Sequence, residues 1–175
     1  MPTLVEKVVA VARTLGATDI PFAFGGALAL AYATEEPRGT RDIDVNVFVA
    51  PDDVDRVFES LPAGVRHTAA DRRAVARDEQ VRLFWDDTPV DLFFAAHEMH
   101  HAAAARRRWV DFAGIMIPVL APIDLAVFKA LFDRAKDWVD IETMRDSGTL
   151  DTHAAAAAAA ELLGDDPRVA RLRSM

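Results

Sequence analysis

Arg41-Asp42-Ile43-Asp44-Val45-Asn46-Val47-Phe48-Val49 alternates up to Val47, with Ile43, Val45, Val47 and Val49 on one face and Asp42, Asp44 and Asn46 on the other. A period of two is that of a β-strand with one side packed on a core. Two steps along a strand aim both carboxylates at one face, about 7 Å apart at roughly 3.3 Å of rise per residue. Burying like charges at that spacing is costly unless a cation sits between them. Hard oxygen donors suit Mg²⁺. The competing reading is an exposed edge strand with solvated Asp residues.

Upstream, Thr3 and Glu6 form a capping box before Leu4, Val5, Val8, Val11, Ala12 and Leu15, and Gly16 supplies the stop of a first helix. Ile20 to Phe24 reads as a short strand ending in Gly25-Gly26, and Ala27 to Ala33 as the helix that follows. Downstream, Pro51, Asp52 and Asp53 start a helix with Val54, Val57, Phe58 and Leu61 on its apolar side. Gln80 to Trp85 and Val90 to Phe94 flank the turn Asp86-Asp87-Thr88-Pro89 as two strands. Glu98 to Arg108 reads as a helix, Trp109 to Leu120 as a hairpin broken near Gly114, and Ile123 to Phe132 as an amphipathic helix opened by Pro122 and Asp124. The alanine run 154 to 160 is a packed helix, and the last helix begins at Asp165-Asp166-Pro167.

These elements predict an α/β (α+β) fold in which a mixed sheet is flanked by helices. One domain spans 1–175, with the sheet-containing part in 1–120 and a helical part in 121–175. At 175 residues with 51% hydrophobic and 27% charged side chains, the chain has the composition of an ordinary globular protein. Its lack of cysteine excludes disulfides, thiolate zinc sites and cysteine nucleophiles. A net charge of -8, from 20 basic and 28 acidic residues, disfavours non-specific adhesion to nucleic acid. The longest uncharged run, Ile20 to Thr34, falls short of the roughly 18 residues of a membrane span. Glu6 and Lys7 interrupt the N-terminal apolar residues, so no signal peptide is expected; the cytoplasm is the expected compartment and no membrane partner is expected.

Gly25-Gly26 lies where backbone N–H groups can face a phosphate, yet neither the dinucleotide-binding nor the Walker pattern surrounds it. A third acid, Asp91, stands in the apolar strand Val90 to Phe94, where an unpaired carboxylate is costly. Gly25-Gly26, Asp42-x-Asp44 and a later strand Asp91 together resemble the active-site pattern of the DNA polymerase β-like nucleotidyltransferase superfamily. Further on, Lys129, Arg134, Lys136, Asp137 and Asp140 resemble the Lys, Arg and Asp-x-x-Asp arrangement of its AbiEii toxin branch, whose mycobacterial relatives are called MenT.

The resemblance implies a minimal nucleotidyltransferase fold and transfer of a nucleotide from an NTP to an acceptor, in MenT proteins the tRNA 3′ end, with a cognate antitoxin alongside. Asp42, Asp44 and Asp91 would be the metal ligands for Mg²⁺ or Mn²⁺, with Asp91 as ligand or base. Lys129 would neutralise phosphate charge and Asp140 would orient it or the acceptor. Gly25 and Gly26 would cradle the triphosphate, and Thr40, Arg41, Lys136 and Asp137 complete the expected nucleotide-binding set. Thr40, with Arg38 and Arg41 beside it, corresponds to the residue on which an antitoxin kinase acts in MenT-like proteins. The superfamily commonly has Gly-Ser where this chain has Gly25-Gly26.

Other readings compete. A small-molecule acceptor, as in drug-modifying relatives, and a nucleotide-binding module without turnover both remain open. His97-Glu98-Met99-His100-His101 satisfies H-E-x-x-H, the zinc hydrolase motif. Arg72, Arg73, Arg77 and Arg82, with Arg106, Arg107 and Arg108, offer either an RNA-tracking surface or a solvated face paired with Asp71, Asp78 and Glu79. Trp85, Trp109 and Trp138 read as core residues.

Overall fold

A computed structural model describes residues 1–37 and 39–175. Its centre is a seven-stranded mixed sheet in the order β3-β4-β5-β2-β1-β7-β6. The alternating segment forms β2, Ile43–Val47, shorter than the expected strand: Phe48 N–H still bonds its register partner Pro21 O at 2.8 Å, but the proline has no N–H to return the bond. Asp42 therefore sits at the entrance to the strand. Beside β2 run β1, Phe22–Phe24, antiparallel to it, and β5, Thr88–Phe94, parallel to it. The pair β4, Gln80–Trp85, and β5 is the expected hairpin, and β6, Arg108–Phe112, with β7, Ile115–Val119, is the other. The short β3, Val65–Arg66, pairs with β4 at one edge.

Helix α1, Leu4–Gly16, begins with the capping box of Thr3 and Glu6. Gly16 is its last helical residue, and the right-handed Ala17 caps it, so the glycine is not the stop that the sequence suggests. On its inner face Lys7 is 2% exposed and donates from Nζ to Trp85 O and Thr88 Oγ1, each at 2.9 Å, with the Asp86 carboxylate at 3.4 Å. A buried ammonium is tolerated because every proton has a partner. Helix α1 thus holds the β4–β5 turn.

Helix α2, Gly26–Thr34, follows β1 directly. A 3-10 turn at Pro51–Asp53 leads into α3, Val54–Glu59, and α4, Ala69–Asp78, follows β3. The sequence gives α4 little apolar pattern, since only Val75 is buried, but Thr68 caps it with Asp71 in a reciprocal pair. Helix α5, Glu98–Arg106, precedes β6, and the C-terminal part is α6, Pro122–Phe132; α7, Ala135–Asp146; α8, Thr152–Leu163; and α9, Pro167–Ser174. Helix α6 packs against α2, α7 and α8. This is the mixed sheet flanked by helices, with a helical C-terminal region, that defines the minimal nucleotidyltransferase fold.

One contiguous core joins the sheet to both sets of helices, from Val11 and Leu15 through Val45, Val47 and Leu92 to Ala126, Ile141 and Leu172. Trp138 is in it at 3% exposure, whereas Trp109 stands 57% exposed on the edge strand, its ring under the Arg107 guanidinium, contrary to the core reading. No described helix is long and apolar enough to cross a membrane.

Candidate active site

A cleft of about 810 Å³ opens between the sheet face of β2, β4 and β5 and the ends of α2, α4, α6 and α7. Gly26, Thr40, Arg41, Asp42, Asp44, Asp91, Lys129, Lys136, Asp137 and Asp140 all line it. Of the residues expected from sequence, Gly25 alone lies outside the lining. It sits directly behind, its N–H bonded to Asp44 O at 2.9 Å, and a Cβ there would come within 2.8 Å of Asn46 Nδ2. Arg38, expected beside Thr40, lies outside the described residues.

The sheet side is fixed by register. Asp44 is the direct partner of Asp91 across the parallel β2–β5 pair, so residues far apart in sequence are adjacent in space. Burial first, and then the charges of Asp42 and Asp91, push the Asp44 carboxyl up to about 6; Lys129 and Arg82 relieve only part of this. Gly26 closes the site from α2 with a left-handed φ of +51°, and a Cβ there would fall 1.8 Å from Asp44 Oδ2. Only a glycine lets the helix start come this close to the carboxylate. Asp42 is held by the loop before it: Thr40 Oγ1 donates to Asp42 Oδ1 at 2.5 Å and accepts from Asp42 N–H at 3.3 Å.

Asp91 has a partner that the sequence reading assigns elsewhere. Arg82, placed above with a possible RNA surface, stands opposite it on β4 and grips it with Nε and Nη2, both at 2.7 Å. The pair holds the guanidinium further in its charged form. The signal was present in the two strands once their register is known, and the register is set by the turn.

The helical side is a second cluster. Lys129, 8% exposed on α6, donates to Asp140 Oδ2 at 2.7 Å and lies 3.6 Å from Asp137 on α7. Arg134 forks onto Asp137 at 2.6 and 3.1 Å. Burial alone would raise Asp137, but Arg134 and Lys129 outweigh it and hold the carboxyl below the usual range. Arg41 and Lys136 are exposed on the cleft wall and make no ion pair with a described residue.

The remaining candidates lie elsewhere. His97 is the extended N-cap of α5, outside the helix, so His97 and His101 do not share one helical face as a zinc site of the H-E-x-x-H type requires. His97 packs on His100, which is buried against Phe128, with Glu79 at 3.9 Å from His97 Nε2. Four of the seven arginines pair within the chain: Arg82 on Asp91 and Arg106 on the buried Asp124, and in exposed surface pairs Arg72 on Asp55 and Arg77 on Asp78. Among the described residues no group of three His, Cys, Asp or Glu side chains is already drawn together as a metal cage. The donor set at Asp42 and Asp44 nevertheless fits a divalent cation: hard oxygens, unbalanced negative charge and a glycine that leaves the approach open.

No protein-family model matches the chain, and no curated protein matches it in sequence. Solved structures do match it in shape. The antibiotic-resistance factor ANT(2'')-Ia in solution is 14% identical with a TM-score of 0.61, covering 97% of this chain and 95% of that one. An antigenic nucleotidyltransferase-like protein from Paracoccidioides brasiliensis gives 16% identity and a TM-score of 0.50, over 96% and 91% of the two chains. The lincosamide antibiotic adenylyltransferase LnuA, solved with lincomycin, gives 11% and 0.53, over 79% and 94%. These likenesses do not single out the AbiEii branch. They show that the chain has the fold of these nucleotidyltransferases.

Proposed function

We propose that this chain is a metal-dependent nucleotidyltransferase that moves a nucleoside monophosphate from an NTP to a hydroxyl of a small acceptor and releases pyrophosphate. The observation that carries this reading is the convergence of Asp42, Asp44 and Asp91 on one cleft that Lys129 and Lys136 line from the helical side and Arg41 lines beside Asp42. Asp42, Asp44 and Asp91 would hold Mg²⁺ or Mn²⁺, which, when bound, neutralises triphosphate charge and favours in-line displacement. Gly26 leaves room for the phosphates, and Arg41 and Lys136, which make no ion pair with a described residue, would meet their outer oxygens. Lys129, fixed by Asp140 and Asp137, supplies a positive field that need not reorganise as charge shifts toward the leaving pyrophosphate.

The acceptor is read from charge. Asp71 of α4 adds to the acidic lining, and of the arginines that would track an RNA backbone Arg82 and Arg106 are held by the little-exposed carboxylates of Asp91 and Asp124. A small hydroxyl compound, best a cationic one, suits such a cleft better than a polyphosphate chain. Supporting this, ANT(2'')-Ia has been solved with adenylyl-2''-tobramycin, at 15% identity and a TM-score of 0.56 over 99% of this chain and 98% of that one.

A second reading, a toxin acting on the tRNA 3′ end under the control of an antitoxin kinase, is favoured by one contact. The Thr40 hydroxyl touches the Asp42 carboxylate. A phosphate there would set about -1.5 to -2 charges against an acid of the cleft. One experiment separates the two. The protein is incubated with each labelled NTP, Mg²⁺ and either total RNA or a panel of small hydroxyl compounds. Label on a small acceptor, lost in Asp42→Asn, is the expected result. Label on RNA that falls steeply with salt overturns the small-acceptor reading in favour of the second, and no label on any acceptor overturns both.

A further inference from the structure

Asp91 is asked to do two things at once. In the proposed site it belongs with Asp42 and Asp44, yet both its oxygens are taken by Arg82. The cause is the sheet itself: β4 sets Arg82 on one side of Asp91, and β2 sets Asp44 on the other. The carboxylate lies between a guanidinium and another carboxylate, and a cation entering beside Asp44 competes with the guanidinium for the same charge.

The two members of the pair are unequally committed. The Asp91 side chain is 13% exposed, and the Arg82 side chain is 57% exposed. Released from the pair, the guanidinium enters water, where it is well solvated and its long stem can find another rotamer. The carboxylate remains next to Asp44 and needs another positive charge. Arg82 is therefore the member that can leave.

We propose that Arg82 is a resident counter-cation, which neutralises Asp91 while the site holds no metal and which a divalent cation must displace to recruit Asp91. The inference rests on the reading of Asp42, Asp44 and Asp91 as a cation site. It makes Arg82 a positioning residue acting through Asp91. It also explains how three acids coexist in one cleft without a preformed cage: the fold keeps one of them occupied until a metal arrives. Metal affinity is lowered by the fraction of molecules in which Arg82 holds Asp91, as for any ligand that must wait for a competent state.

The test is direct Mn²⁺ binding without nucleotide, read by the loss of the free-ion electron paramagnetic resonance signal. Arg82→Met keeps the length of the stem and removes the charge; it should bind Mn²⁺ roughly tenfold more tightly than the wild type. Arg82→Lys keeps a charge but not the fork and should tighten binding roughly threefold; it is the variant to read if Arg82→Met does not fold. In an Asp91→Asn background the gain from Arg82→Met should vanish, as coupled sites require. A merely structural arginine would leave affinity unchanged or weaken it, and either result in the folded variants overturns the proposal. A gain that persists with Asp91→Asn overturns it too, because the effect would then be general electrostatics. If the wild type and both variants bind no Mn²⁺ at millimolar concentration, the cation-site reading itself fails, and this inference falls with it.

Discussion

The two walls of the cleft hold similar groups in opposite conditions. On the sheet wall Arg82 is paired with Asp91, and burial with like charge pushes Asp44 up to about 6 although Lys129 and Arg82 pull the other way. On the helical wall, Asp137 and Asp140 meet Lys129 and Arg134, and Asp137 is held below the usual range in spite of burial. Burial penalises both walls, so the difference comes from the count of opposite charges within reach. The helical wall is balanced and contributes a fixed field. The sheet wall carries a deficit that a proton on Asp44 or an incoming cation relieves. A site built this way gives up apo stability on one side and keeps it on the other.

The largest expected effect breaks the comparison outright if it fails. Asp42→Asn or Asp44→Asn should lower nucleotide transfer by at least about 10³-fold, with far-ultraviolet circular dichroism unchanged, because each removes a proposed ligand of the cation. Full transfer in either variant would mean that the charge deficit has no catalytic purpose.

Next in size is the balanced wall. Lys129→Met leaves Asp137 and Asp140 buried with less positive charge and should destabilise the protein by about 3–5 kcal/mol in urea unfolding. Unchanged stability would show that the ammonium reaches solvent and that the wall is not balanced through it.

Smaller, and opposite in sign, is the response of the sheet wall. The Asp44 carboxyl moves from an ordinary value of 3.8 to about 6 in the fold. A raised value means that the folded protein prefers the protonated form: this contribution is full below the unfolded value and is lost as pH rises through about 6. Asp44→Asn carries no such charge. Without metal it should be more stable than the wild type by about 1–3 kcal/mol at pH 7.5, and the gain should shrink toward zero near pH 4, read by thermal unfolding in chelator. One substitution thus removes transfer and raises stability.

Gly26→Ala sharpens the picture at the smallest scale. The left-handed φ of +51° disfavours a side chain by about 1 kcal/mol, and the added methyl would press on Asp44 Oδ2. Transfer should fall further than stability, since Asp44 can move aside and lose its place. Equal losses in both would make the glycine a matter of backbone conformation alone.

Much of this arrangement is legible in the sequence, and the part that is not has a common cause. The alternation at Ile43 to Val47, the acid inside Val90 to Phe94 and the capping signals at Thr3, Pro122 and Asp166 are local, and local chemistry decides them. Asp42, Asp44 and Asp91 could therefore be named in advance, and the resemblance added Lys129, Lys136, Asp137 and Asp140, whereas Asp71, Asp78, Phe93 and Phe128 enter the cleft only through the tertiary fold. The pairing of Arg82 with Asp91 could not, because it depends on a register that places two strands side by side. Helix α4 escapes a periodicity reading because it buries Val75 and little else, so tertiary contact and its Thr68 cap sustain it. His97 misleads for the opposite reason: a motif of chemical residues is matched by spacing, while the backbone makes its first member a cap.

The grip of Lys7 on the β4–β5 turn decides where this chain can be cut and rejoined. Reversal tips exposed at the ends of hairpins are the usual places to open a protein by circular permutation. Asp86-Asp87 looks like one, but Trp85 O, Asp86 and Thr88 Oγ1 are fastened to a buried ammonium on α1. New ends there would free the strand that carries Asp91 from its anchor. The Ala113-Gly114 tip, whose residues are exposed and both have positive φ, carries no such fastening among the described residues. The seam of a permuted protein belongs between β6 and β7, on the side of the sheet away from the acids.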